Sequence, residues 1–174
     1  MIRRIKLTIP ENYLRGLYFA CFQSILRYGL VLWGNSSRTK EILILQKKAL
    51  RVMAGSSFHD HCKPIFIKNK ILTVTNLYLF DLVDYILKTP QNVKPHHTKH
   101  SHNTRRKNNA YIEFYRLSKT LNSHIVMSLK VFNALEHIIN KYELRTFKNK
   151  YYNWLLENPF YDINEFFAIK SIMF

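Results

Sequence analysis

Three sets of side chains in this 174-residue sequence have the types and spacing to do chemistry. His59-Asp60-His61-Cys62, and His96-His97 followed by His100 and His102, supply nitrogen and sulfur ligands in two loop-like stretches. Structural zinc takes four such ligands at spacings like C-x2-4-C and H-x3-5-H, and neither stretch completes a four-ligand set. Solvated histidines are the simpler reading, and no metal is expected. Asp81 and Asp84 stand three apart on one helical face, but the run around them is apolar, so a polar seam on a buried helix explains them more simply than a catalytic pair. Two-metal phosphoryl chemistry needs clustered carboxylates, and the sequence contains no Asp-Asp pair. It also lacks a Gly-rich phosphate loop, a G-x-S-x-G elbow and an H-E-x-x-H pair. Catalysis by this chain alone, and any cofactor, are therefore not expected.

The cations carry the stronger signal. Net charge is +16, from 27 Lys and Arg against 11 Asp and Glu. The excess is uneven, with 19 cationic and 5 acidic residues in 1–112 but 8 and 6 in 113–174. Self-repulsion of this size does nothing for the fold and favours polyanions. Nucleic acid ranks first, an anionic membrane surface second and an acidic protein third. Two elements are candidates for phosphate contact. Lys47, Lys48 and Arg51 cluster on one helix, where a merely solvated face is an equal reading. Lys94, Lys99, Arg105, Arg106 and Lys107 share a stretch with no acid between Asp84 and Glu113, and are the stronger set. Stacking on Tyr151, Tyr152 and Trp154, or on Tyr115 beside Arg116, is conceivable for bases. Aromatics at helical spacing are more often core, and Trp33 is expected to pack.

Helices must position these groups. With 47% apolar residues, 25 aromatics, 4 Gly and 5 Pro, a packed helical core is the expected outcome. A chain this long buries roughly 68–70% of its unfolded surface. The 3–4 residue recurrence of Leu14, Leu17/Tyr18, Cys21/Phe22, Ile25, Tyr28 and Leu32 predicts one helix over 10–33, with Cys21 buried. Ser36 and Ser37 offer caps for a helix over about 38–54, ended by Gly55, with an apolar stripe of Ile42, Leu45, Ala49 and Val52/Met53. Pro64 opens a short helix to about Lys70. Thr73 or Thr75 caps a fourth, apolar nearly all round, reaching Lys88 and central. Pro90 and Pro95 introduce the long basic loop, residues 111–121 are ambiguous, and helices follow at about 124–139 and 144–157. Asp162 and Glu165 resemble a capping box before a last short helix. Two cysteines form no disulfide framework and fit a reducing compartment. The basic start is interrupted by Pro10, Glu11, Asn12 and Arg15, unlike an export signal. No apolar run reaches the ~18 residues of a membrane helix, so an intracellular protein is expected.

These segments resemble a known family in order. Residues 24–53, from Tyr28-Gly29 and Trp33-Gly34 to the Lys47/Lys48/Arg51 face, are similar to the region following the catalytic core in reverse transcriptases of jockey-like non-LTR (LINE) retrotransposons. Pro10-Glu11-Asn12 through Phe22-Gln23-Ser24 resembles the helix entering their thumb. Cys62-Lys63-Pro64-Ile65-Phe66 and Lys70-Ile71-Leu72-Thr73-Val74 resemble the next block. His102-Asn103-Thr104-Arg105 resembles a short His/Asn-Thr-Arg loop. Val131-Phe132-Asn133-Ala134-Leu135 stands where a Leu-Trp-Asn-Ser-Leu-Pro-like block is usual, with Phe132 for Trp and Glu136 for Pro. Phe147-Lys148 to Leu156, and Pro159-Phe160-Tyr161 to Phe166, resemble the tail.

The resemblance implies a mainly α fold: a thumb-like helical bundle over 1–88, a basic His-rich loop over 89–110 and a C-terminal helical segment over 111–174. It implies a piece of an RNA-directed DNA polymerase, in the manner of a truncated element copy, without the Tyr-X-Asp-Asp site. The partner implied is RNA template or RNA–DNA hybrid, gripped through its backbone, with a polymerase core upstream in the same chain in the family. The alternatives are a co-opted basic nucleic-acid-binding protein and a helical membrane-surface or protein-docking module.

Overall fold

The apolar run 74–88 becomes the centre of the molecule. In the computed structural model, which describes residues 2–6, 8–95 and 109–169, the described residues are all-helical with no strand among them. The elements are α1 (Ile2–Ile5), α2 (Glu11–Tyr18), a π-turn (Phe19–Gln23), α3 (Ser24–Arg27), α4 (Leu30–Trp33), α5 (Thr39–Ala54), α6 (Cys62–Asn69) and α7 (Val74–Lys88). A 3-10 turn (Pro90–Asn92) follows, then α8 (Ser118–Leu121), α9 (His124–Ile139), α10 (Leu144–Glu157) and α11 (Ile163–Phe167). No helix of the described residues is long and apolar enough to cross a membrane.

Thr73 starts α7 by accepting the Asn76 amide on its hydroxyl at 3.1 Å, a side-chain N-cap. Leu77, Tyr78, Leu79, Leu82 and Val83 then bury on several sides at once. That is possible because α4, α5, α9 and α10 all pack on this helix. One apolar cluster runs from Leu14 to Phe166 through Leu50, Phe66, Val131 and Tyr151. Residues before and after the basic loop thus share a core. A small second cluster of Ile86, Ala110 and Leu129 sits near the end of α7.

The expected single helix over 10–33 is divided in two places. The π-turn inserts one extra residue per turn, which rotates everything after it by about 100°. The buried series accordingly reads Leu14, Tyr18, Gln23, Leu26 and Leu30. The expected stripe after Tyr18 is displaced outward: Ile25 is 72% exposed, Tyr28 88% and Leu32 73%, and Cys21 is exposed rather than buried. Gly29 then breaks the helix at φ +62°, a left-handed conformation that glycine adopts without a Cβ penalty.

Three more expectations, on the face and cap of α5 and the start of α6, are corrected. In α5 the buried face is Leu43, Gln46, Leu50 and Met53, while Leu45 is exposed. No serine caps it, because Arg38 occupies the N-cap and the Thr39 hydroxyl donates to the Gly34 carbonyl. α6 starts at Cys62, two residues before Pro64, which sits in the first turn where its missing N–H costs nothing. Elsewhere the boundaries agree. Gly55 closes α5 at φ +67°, α9 and α10 span 124–139 and 144–157, and Asp162 caps α11 by accepting the Asn164 amide. Glu165 reaches back to the Tyr161 amide, one residue beyond a standard capping box.

α4 lies so close to α7 that only glycine fits at position 34. A Cβ there would stand 2.6 Å from Tyr78 Cγ. Gly34→Ala is therefore expected to destabilise the fold by ~1–3 kcal/mol in urea denaturation. Tyr78→Phe is expected to raise stability by up to ~1 kcal/mol, because the Tyr78 hydroxyl is buried without a hydrogen-bond partner among the described residues. A loss above about 1 kcal/mol in Tyr78→Phe would show that the hydroxyl is engaged.

Candidate nucleic-acid interface

The two ends of the basic loop are brought together on α9. Asn133 holds the returning end: its side-chain carbonyl accepts the Ala110 amide at 2.7 Å, and its side-chain amide donates to the Ala110 carbonyl at 2.9 Å. Tyr111 N–H donates to the Lys94 carbonyl at 2.7 Å, and Pro95 and Ala110 form an isolated antiparallel bridge. Ala110 is fully buried, so its paired backbone groups fix where the chain leaves and re-enters the bundle. Lys94 is exposed at that junction. Lys99, Arg105, Arg106, Lys107 and the four histidines at 96, 97, 100 and 102 lie outside the described residues.

The α5 cations are neighbours on the helix, yet the structure gives them three different surroundings. Lys47 is half-buried, with Nζ 3.3 Å from the centre of the Tyr161 ring, and burial lowers its pKa. Arg51 donates from Nε and Nη2 to the Asp60 carbonyl at 3.1 and 2.9 Å, tying the 56–61 loop to the helix. Lys48 points outward and is exposed. Lys63 from α6 adds a fourth cation, 5.1 Å from the same Tyr161 ring and 3.4 Å from Glu165. The result is a cationic face backed by an aromatic ring, and Lys63 and Tyr161 entered it unannounced because they are remote in sequence from Lys47.

A cleft of about 610 Å³ opens between the α4–α5 turn, α9 and the start of α11. Ile112 and Asn133 form part of its wall, so it adjoins the base of the basic loop. Lys40 and Lys130 are its cations, and Lys40 is 3.5 Å from Asp162.

The other sequence candidates take structural roles. Asp81 pairs with Arg27 at 2.6 Å, and Asp84 with Lys88 and Lys148 at 2.6 Å each. Burial raises the Asp81 pKa more than Arg27 lowers it. For Asp84 burial also raises, but the hydrogen bonds and charges of Lys148 and Lys88 outweigh it and hold the carboxyl low. His59 and His61 are exposed, and among the described residues no three His, Cys, Asp or Glu side chains gather where they could hold a metal. Cys62 is the buried thiol, its pKa raised by that burial. Tyr151 stacks between Phe80, Phe147 and Trp154 in the core, whereas Tyr115 stands outside with its hydroxyl 3.3 Å from Glu113.

Removing the Asn133 amide is expected to unpin the loop's base. In Asn133→Ala, hydrogen exchange at the Ala110 amide should accelerate and stability should fall by ~1–3 kcal/mol, the cost of leaving buried backbone groups unpaired. Unchanged exchange at Ala110 would mean that the bridge to Lys94–Pro95 holds the loop without Asn133. No protein-family model, curated protein or solved structure matches this chain.

Proposed function

We propose that this chain is the thumb and post-thumb part of a jockey-like non-LTR retrotransposon reverse transcriptase. In this reading residues 1–88 form the thumb-like bundle, 89–110 the gripping loop and 111–174 the supporting helical segment. The chain holds RNA template or RNA–DNA hybrid by its sugar-phosphate backbone, so binding is largely independent of sequence. It performs no nucleotide transfer by itself, because the carboxylate cluster that would hold two metal ions is not in the sequence.

The observation that carries the binding reading is the stretch from Lys94 to Lys107, which contains no acid, together with the flanking Ala110 that Asn133 holds beside the cleft. A cationic loop whose base is fixed on a rigid helix can follow a phosphate backbone without reading bases. Two acids of the described residues are already engaged by cations of the bundle, Asp84 by Lys88 and Lys148, and Asp162 by Lys40.

Filter-binding titrations of unrelated RNA sequences across a salt series test this. Each phosphate neutralised on a single strand steepens the slope of log K against log salt by roughly 0.7. Changing Arg105, Arg106 and Lys107 together to alanine is expected to weaken binding to all sequences and flatten that slope by about 2. An unchanged slope would transfer the role to Lys48 and its neighbours. Binding to anionic vesicles that excess RNA does not compete away would instead favour a membrane-surface protein. A primer-extension assay with Mg²⁺ or Mn²⁺ should show no incorporation, and template-dependent extension by the purified chain would overturn the non-catalytic reading.

A further inference from the structure

We infer that Phe58, held out on the 56–61 loop beside Arg51, is a stacking platform for unpaired bases of single-stranded nucleic acid. The inference rests on the nucleic-acid reading above and adds to it a site that touches bases rather than phosphates.

Phe58 is 66% exposed, although the loop carrying it is closed by a dense set of hydrogen bonds. Ser57 N–H donates to the Asp60 carboxylate at 2.7 Å, and Asp60 N–H donates to the Ser57 carbonyl at 3.2 Å. Ser56 N–H donates to the Arg51 carbonyl at 3.0 Å, and the Arg51 side chain takes the Asp60 carbonyl. The backbone on both sides of Phe58 is thus fixed to α5, and a large apolar ring is presented to water by a held turn. His59 meets it edge-to-face, with ring centres 5.3 Å apart and planes at 89°.

The charges around the ring match a strand of nucleic acid. The Arg51 guanidinium carbon lies 5.8 Å from the Phe58 ring centre. Lys48 stands one turn earlier on the same side of α5 and is exposed. A base on Phe58 would place its own phosphate within reach of this helix face. Asp60, in the same loop, has its carboxylate turned to the Ser57 amide. An apolar docking patch would need further exposed apolar side chains around it. The loop neighbours Ser56, Ser57, His59, Asp60 and His61 are all polar, which fits a single stacked base better than a protein partner.

The experiment measures affinity of the full chain for a short single-stranded RNA and for a blunt duplex of equal length. Phe58→Ala is expected to weaken single-strand binding roughly 5- to 150-fold, the range for one lost base–aromatic stack, while leaving the salt slope unchanged. The duplex, whose bases are already stacked, should lose much less. Phe58→Leu should be as weak as Phe58→Ala, because it keeps apolar bulk without a π face. Phe58→Trp should bind at least as well as the parent and show fluorescence quenching on RNA addition that the parent lacks. Equal affinities for the parent and Phe58→Ala, with the salt dependence of the basic loop intact, would overturn the platform alone. Parent-like binding by Phe58→Leu would also overturn it. A parent chain that binds no RNA would remove the nucleic-acid reading and this inference with it.

Discussion

A buried polar junction at the start of α7 fixes the relative placement of five segments. Gln46 is fully buried on α5, where its amide nitrogen donates to the Tyr18 hydroxyl at 2.7 Å and the Leu72 carbonyl at 2.9 Å. Its oxygen accepts the Val74 amide at 2.9 Å. Asn76 faces the opposite way. It donates to the Leu155 and Asn158 carbonyls at 2.6 and 2.8 Å and accepts the Phe160 amide at 3.2 Å. Thr73 adds a bond to the Phe160 carbonyl at 2.7 Å while capping its own helix. Helix ends leave backbone groups without helical partners, and an unpaired buried one costs ~1–3 kcal/mol. Here side chains from α5 and α7 satisfy the groups around α7's start and α10's end, so neither helix can rotate without orphaning several at once.

That junction also determines which cations face outward. Because Gln46 must point inward, the α5 face is rotated one residue from the one its apolar spacing suggests. Lys48 is then turned to solvent, and Lys47 is laid across Tyr161. The Tyr161 ring reaches that position because Thr73, Thr75 and Asn76 anchor the backbone at 160–161. The same burial that seats Tyr161 pushes its hydroxyl pKa up to about 12. Packing, polar satisfaction and surface charge are therefore coupled through a few buried amides.

Four of the eleven acids tie elements of the fold together. Asp81, Asp84, Asp162 and Glu165 bridge to cations on other elements, leaving the basic excess at the surface. The pH signatures of Asp84 and Asp81 oppose one another. Asp84, held below the ordinary carboxylate range, contributes stability present above its unfolded pKa and lost as pH falls through the folded one. Asp81, raised by burial, favours the folded state when protonated, and that contribution is lost as pH rises through its folded pKa. Each exposed lysine bridge adds little, so their role is mainly to orient α11 against α5 and α6.

The sequence by itself determined the helical class, the central helix with a cap at Thr73 or Thr75, the bounds of α9 and α10, the Gly55 stop and the basic excess. These are local or additive properties. Capping, glycine's left-handed conformation and apolar periodicity act within a few residues, and charge is a count. Only the tertiary structure decided which faces are buried. The π-turn at 19–23 and the inward Gln46 each displace a face by one residue, and Gln46 answers to partners 26 to 28 residues away. Asn133's hold on Ala110, the Tyr161 ring beneath Lys47, and Phe58's exposure on a held loop are of the same kind. A residue's surroundings there depend on chain closure over long separations, which spacing along the sequence does not encode.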